Sequence, residues 1–293
     1  MKLRQIALLG AASAMGVVAA ACSSDTGPHV TNLGPIAYVR YVNAIPDTNQ
    51  TDFRFVDQLK GSPWYGQLFF RDISAYQPVS AGSRHIRVFS VDPNASANLE
   101  GNINVVSQRF VDTTLTFDAN TYYTIVHVGY ARTGQTPAQH LVLIKEDRSA
   151  SVSGTQIGVR AINAAPTIPS ADVYAAATPS GSPTFGAIAF GAASPYQVMS
   201  TGSVTFSTTS AGSTTVAAAG AAPAGAPPAS VSQSALGGYS VGGSLLTAFI
   251  FPPAVAGSMA TLSANPNCSK GACTTASVIW MQDNYPDMPS STP

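Results

Sequence analysis

Charge is scarce in this chain. Its 293 residues hold 14 Lys and Arg against 14 Asp and Glu, and the formal net charge is zero. No basic patch is available to neutralise phosphates, which argues against a nucleic-acid partner. Histidine is scarcer still. His29, His85, His127 and His140 follow no metal-ligand spacing, and none occurs after His140. The few carboxylates show no pairing suited to acid/base work, and no Gly-rich phosphate loop follows a strand and opens a helix. One Gly-x-Ser-x-Gly match exists, Gly238 to Gly242 around Ser240. A nucleophile elbow needs a strand before it and a helix after it; here a Ser/Ala/Gly loop precedes and a strand-like Leu245 to Phe251 follows. A Gly-rich turn is the better reading. No metal or other cofactor is implied.

Long apolar runs are also missing, except at the start. Lys2 and Arg4 precede an apolar stretch, Ile6 to Ala21, which is too short for a membrane span and is followed at once by Ser23-Ser24-Asp25. It reads as a secretory signal over residues 1–21. Val18-Ala19-Ala20-Ala21-Cys22 resembles a bacterial lipobox, in which small residues precede a Cys that is lipidated and becomes the mature N-terminus. It departs from that pattern at Ala19, where Leu is usual. The same residues also satisfy the Ala-x-Ala rule of ordinary signal cleavage. A lone Cys at this boundary, followed by a Ser/Asp/Gly/Pro tether over residues 22–35, is what anchoring requires. Several acyl chains on Cys22 would hold the protein firmly to a membrane. The expected location is the cell envelope, at the outer membrane because Ser23 rather than Asp follows.

What the chain has in quantity is Ser, Thr, Gly, Ala and Pro, a composition that suits an exported all-β protein with many turns. It also has a repeat. Val39-Arg40-Tyr41-Val42-Asn43-Ala44-Ile45-Pro46, with Asp52 six residues on, recurs as Val159-Arg160-Ala161-Ile162-Asn163-Ala164-Ala165-Pro166, with Asp172 six residues on. At that one offset of about 120 residues, Tyr76-Gln77 falls on Tyr196-Gln197 and Gly82-Ser83 on Gly202-Ser203. Roughly 17 of 45 aligned positions are identical, which implies two homologous domains. Beyond about Ser203 the offset breaks.

Short β-branched and aromatic runs separated by turn signals predict two tandem antiparallel β-sandwich domains, Ig-like or Greek-key in style. The first spans residues 36–147 and the second 156–283, with a linker at 148–155 and a tail at 284–293. Expected strands in the first domain are Ile36–Ala44, Thr51–Val56, Trp64–Ile73, Tyr76–Val79, Arg84–Val91, one or two strands within Ile103–Phe117, Thr121–Tyr130 and Leu141–Lys145. The second restarts at Gln156-Ile157 and runs through Ala171–Ala175, Phe185–Phe190, Val204–Ser207, a weak strand at Thr214–Ala218, Ser244–Phe251 and Ala276–Met281. Cys268 and Cys273, five apart in an exported chain, read as a disulfide across a tight loop; a metal pair is the alternative.

The pattern Val-Arg-x-x-Asn-Ala-x-Pro, then Asp on the next strand, then Tyr-Gln and Gly-Ser, resembles the DUF4397 family. The resemblance covers about Ile36 to Val88 and Ile157 to Phe206. It implies a surface β-sandwich of exported or anchored bacterial proteins and brings no catalytic residues with it.

The recurring polar residues Arg40, Asn43, Asp52, Tyr76, Gln77, Arg160, Asn163, Asp172, Tyr196 and Gln197 admit two readings. One is a ligand site built once per domain. The other is structural: Asn43 holds a turn, Tyr76 packs its ring, and Arg40 pairs with Asp52 on a neighbouring strand. Trp64-Tyr65 is either core or an exposed contact for an envelope protein or glycan. The expected function is a non-enzymatic envelope lipoprotein, a binding or structural module. The alternative is an envelope carbohydrate-active or other hydrolase, which would need converging carboxylates or His.

Overall fold

Sixteen strands run through the described residues of the protein in a computed structural model. It describes residues 34–48, 50–57, 64–91, 106–148, 150, 152–226, 235–258, 260, 265–271 and 273–284. The signal segment, Cys22 and the tail beyond 284 lie outside the described residues. The first half carries β1 (Ile36–Asn43), β2 (Gln50–Phe55), β3 (Trp64–Phe69), β4 (Gln77–Ser80), β5 (Gly82–Val91), β6 (Val106–Phe117), β7 (Tyr122–Val128) and β8 (His140–Lys145). The second carries β9 (Gln156–Asn163), β10 (Ser170–Tyr174), β11 (Phe185–Ala189), β12 (Gln197–Ser200), β13 (Thr205–Ser210), β14 (Ala218–Ala221), β15 (Leu245–Phe251) and β16 (Ser277–Gln282). No α-helix occurs among the described residues.

Each half is a sandwich of two four-stranded sheets. In the first half they run β4-β1-β7-β8 and β3-β2-β5-β6; in the second, β12-β9-β15-β16 and β11-β10-β13-β14. The expected sandwich class holds. The sheets are not wholly antiparallel, however: β1 runs parallel to β7, and β9 parallel to β15. The chain leaves β1, builds all four strands of the other sheet and the edge strand β4, and returns beside β1 in the same direction, the long crossover that a parallel pair requires. Ile103–Phe117 resolves into one strand within its bounds, β6. The weak strand expected at Thr214–Ala218 lies instead at Ala218–Ala221, and β12 was not among the expected strands.

The central strands explain why their sequences do not simply alternate. On β1, Ala37, Val39 and Tyr41 point into the first sandwich core, with Phe53, Ile86, Val88 and Ile125. Val42 and Ala44 point the other way and meet Val126, Val128, Ile162, Ala164, Phe249 and Phe251 in a separate cluster. That cluster draws on both halves. Strands β9 and β15 show the same two-sided burial, with Ile157, Val159, Leu246 and Ala248 in the second sandwich core. Strands buried on both faces read as continuous apolar runs. The inner sheets of the two halves therefore face each other across a joint, and Pro35–Pro293 forms one compact unit.

Asparagine ties the two sheets of each sandwich together. Asn43 Nδ2 donates to Leu68 O at 3.0 Å, and its Oδ1 accepts from Ile45 N at 3.2 Å. Asn163 Nδ2 donates to Ile188 O at 3.1 Å and Ile168 O at 2.8 Å, while Oδ1 accepts from Ala165 N at 3.1 Å. Both side chains are fully buried. Leu cannot make these bonds, and orphaned buried main-chain groups cost about 1–3 kcal/mol each. Asn163→Leu is therefore expected to lose about 3 kcal/mol in urea unfolding; a loss below about 1 kcal/mol would mean that this bridge is dispensable.

Candidate functional site: the joint between the halves

Arg40 and Arg160 occupy the same position on β1 and β9, and both are buried in the joint. The parallel registers place Arg40 beside Thr124 of β7 and Arg160 beside Thr247 of β15. Each guanidinium uses Nε to donate to its threonine hydroxyl, at 2.8 Å in both halves. The threonine then donates to a carboxylate just past the last strand of its half. Thr124 reaches Glu146 Oε1, and Thr247 reaches Asp283 Oδ2 at 2.6 Å. The same oxygens accept from the repeated tyrosines: Tyr76 on Glu146, and Tyr196 on Asp283 at 2.6 Å.

The ion pairs cross. Arg40 Nη2 lies 2.6 Å from Asp283 Oδ1, the carboxylate of the opposite half, and 3.3 Å from its own Glu146. Arg160 Nη2 lies 2.9 Å from Glu146 Oε1. Each Arg also stacks on the tyrosine of its own half, Arg40 4.7 Å from the Tyr76 ring centre and Arg160 4.6 Å from that of Tyr196. Arg148 completes the cluster. Its Nε donates to Glu146 Oε2 at 3.2 Å, and its guanidinium lies 3.4 Å from the Tyr122 ring centre.

This arrangement corrects the expected Arg40–Asp52 pair. Asp52 instead binds Arg54 on its own strand, at 3.0 Å through Nε. Its counterpart Asp172 accepts from the main-chain amides of Ala187 at 2.8 Å and Gly212 at 2.9 Å. Gln77 and Gln197 sit on edge strands beside Val39 and Val159, away from the charge cluster. Tyr65 is buried, and its hydroxyl donates to Val39 O; the side chain of Trp64 lies outside the described residues.

The electrostatics follow from burial. Desolvation alone would raise the Glu146 carboxyl, but Arg40, Arg160 and Arg148 outweigh it and hold the group down at about 2, with help from the Thr124 hydroxyl. Burial likewise opposes the charge on Arg40; Asp283 above all, then Tyr76 and Glu146, keep it above the usual guanidinium range. Burial pushes the Tyr76 and Tyr196 hydroxyls far up, so both remain protonated donors.

A second contact locks the joint from the disulfide loop. Cys268 and Cys273 are bonded to each other across a 3₁₀ turn, Pro266–Gly271, between β15 and β16. Asn267 Nδ2 donates to Asp72 Oδ1 at 2.7 Å and to Phe70 O at 3.2 Å, both in the first half. Arg71 answers in the other direction, donating to Pro252 O at 2.7 Å and Thr275 O at 2.6 Å. Burial lowers the Arg71 guanidinium to about 10. Arg71 adopts a φ of 75°, and the matching turn of the second half has Gly191 at 79°. The backbone shape is kept where the side chain is not.

Beside the joint runs a groove of about 380 Å³, lined by β8 (Val142 to Lys145) on one side and Gly191 to Ala193 on the other, with Arg160 and Tyr196 at its floor. Of the described histidines, His140 at the start of β8 packs on Phe190 beside this groove, with ring centres 6.1 Å apart, and the other two lie elsewhere. His127 is buried and bonds Tyr41 OH at 2.9 Å and Gln139 Oε1 at 2.8 Å, and burial lowers it to about 3. His85 meets Asp112 on the outer sheet at 2.5 Å. Ser240 spends its hydroxyl on Ala224 O. No group of three His, Cys, Asp or Glu is placed to hold a metal among the described residues.

Removing one member of a buried charge cluster strands its partner and costs about 3–5 kcal/mol. Arg160→Met is expected to fall in that range by chemical denaturation, and adding Glu146→Gln to recover part of the loss. Because Glu146 is depressed in the folded state, its contribution is complete above its ordinary value of 4.5 and fades as pH drops toward 2. Stability followed from pH 7 to 2 should fall through that window, and Glu146→Gln should flatten the fall; an unchanged slope would remove Glu146 from the joint's energetics.

Compared with known families, residues 37–174 match the model described as Domain of unknown function (DUF4397). The match starts at Ala37 within β1, runs through the rest of the first half and continues through β10 of the second. A comparison with curated proteins finds no match.

Proposed function

We propose that the chain is a non-enzymatic cell-envelope lipoprotein, anchored through Cys22 and built from two tandem copies of the DUF4397 domain. Its two sandwiches act as one rigid body that binds or forms part of another envelope component. One observation carries this reading. The residues that recur between the halves are spent internally: Arg40 and Arg160 on crossed ion pairs, Asn43 and Asn163 on sheet bridging, Tyr76 and Tyr196 on the buried carboxylates. A repeated set used this way makes a scaffold, and a scaffold presents its outer surfaces. The matching strand orders of the two halves support a second copy beyond the matched segment. A disulfide between Cys268 and Cys273 suits an oxidising compartment outside the cytoplasm. The sequence before Pro35 supplies the anchor, since several acyl chains on one cysteine give stable membrane attachment.

The test is labelling with a fatty-acid analogue in a bacterial host, followed by fractionation. The chain is expected to take up label and travel with the membranes, and Cys22→Ser to lose both. An unlabelled, soluble parent chain would remove the anchor while leaving the two-sandwich scaffold in place.

A further inference from the structure

Every open sheet edge invites another strand, and most edges of this protein are defended. Strand β4 has four residues and contains Pro78; β12 and β14 are equally short. Strands β3 and β11 meet their neighbours with register shifts. Strand β6 has two such shifts and carries Arg109 and Asp112. Strand β16 is covered by β14: Trp280 Nε1 donates to Gly220 O at 3.0 Å, and a Cβ at Gly220 would lie 2.3 Å from Val278 O. Strand β8 is the exception. It occupies the end of its sheet, six residues long, without Pro, Gly or a register shift, and its centre is Leu141-Val142-Leu143-Ile144. These four side chains are only partly buried.

The main-chain groups on the open side can be named. Glu146 N donates to Tyr122 O, and the register runs unbroken from Lys145↔Tyr123 to His140↔Val128. Alternation along an antiparallel ladder then turns the N–H and C=O of Leu141, Leu143 and Lys145 away from β7. No strand among the described residues pairs with them. The second half touches β8 through side chains, a Cβ at Gly191 lying 3.2 Å from Val142 Cγ2, and makes no strand pair with it.

The geometry points to a second copy of this chain as the occupant, with β8 pairing antiparallel to β8 about a two-fold axis at Leu143. In that register Leu143 faces Leu143, and Leu141 faces Lys145 of the other copy. Aliphatic groups meet at the centre and no like charges are opposed, as cross-strand pairing requires. The edge is thus complementary to itself, and its partner is present wherever the protein is. The two inner sheets join into one of eight strands, an isologous contact that closes at two copies.

The experiment uses the full chain with Cys22→Ser, so that no lipid holds copies together. Light scattering coupled to size exclusion, across a hundredfold range of concentration, should show the mass rising from one chain toward two. Leu143→Pro removes an N–H that β7 does not use, so it should keep the fold by circular dichroism and abolish the rise. Leu143→Cys should give a covalent dimer under mild oxidation, while Val198→Cys on β12 should not. The crosslink decides the matter if the proline variant does not fold. A parent chain that stays a monomer throughout, a dimer untouched by Leu143→Pro in a folded variant, or equal crosslinking at both cysteines would each overturn the proposal. Assembly beyond two copies would overturn it as well.

Discussion

Two buried arginines crossing to each other's carboxylates fix how the halves of this protein meet. The crossing matters more than the number of bonds. Were each Arg paired only with the acid of its own half, the sandwiches could slide or rotate against one another without breaking an ion pair. Because Arg40 reaches Asp283 and Arg160 reaches Glu146, any such movement strands charges where water cannot follow. Desolvation consumes most of what the ion pairs gain, so the cluster is a weak source of net stability. The apolar cluster around Val126, Ile162, Phe249 and Phe251 is the better candidate for the driving force. The charges then select one docking among the many that an apolar surface alone would allow, as a hypothesis that the double substitution at the joint addresses.

Opposite charge at close range, rather than complete hydrogen bonding, is what makes these groups tolerable: Arg40 Nη1, Arg160 Nη2 and Asp283 Oδ1 are buried without a hydrogen-bond partner. Each guanidinium has a threonine, a tyrosine ring and a carboxylate around it, and each carboxylate accepts from Thr and Tyr and lies at ion-pair distance from the Arg of the opposite half. The arrangement repeats in both halves down to the 2.8 Å Arg–Thr bond. Two chain segments with the same inner sheet, set face to face, produce this crossing as a consequence of their symmetry. The second acid is Asp rather than Glu, and the geometry still closes.

The sequence carried half of this cluster in plain view. Arg40, Tyr76, Arg160 and Tyr196 stand at one offset, so a slide without gaps finds them. Their partners escape it: Thr124 and Thr247, and Glu146 and Asp283, lie after the point where the second half's insertions break the offset. Hence the repeat alone pairs Arg40 with Asp52, the acid that recurs with it inside the alignable region. The strands themselves were readable from β-branched and aromatic content. What could not be read was the second buried face of β1, β7, β9 and β15, because an apolar run of this kind fits a sandwich core and a joint equally well. The parallel pairs were hidden for a related reason, since strand order is a property of the folded sheet.

Where the halves differ is as informative as where they agree. The left-handed turn holds Arg71 in one half and Gly191 in the other, so the first half alone extends a cation into its neighbour. Tyr41 and His127 form a buried polar pair in the first half, whereas Ala161 and Ile250 occupy the corresponding strand positions of the second. Between positions 156 and 283 the cationic side chains are Arg160 and Lys270. The first half carries the outer-sheet charges, Arg84, Arg87, Arg109 and Asp112 among them. Selection on the joint requires the two halves to match; selection on an outer surface does not. The inner sheets still differ at Tyr41/Ala161 and His127/Ile250, and the joint at Arg71/Gly191, yet both halves keep the crossed arginines, while the difference in charge is concentrated on the outer sheet of the first half.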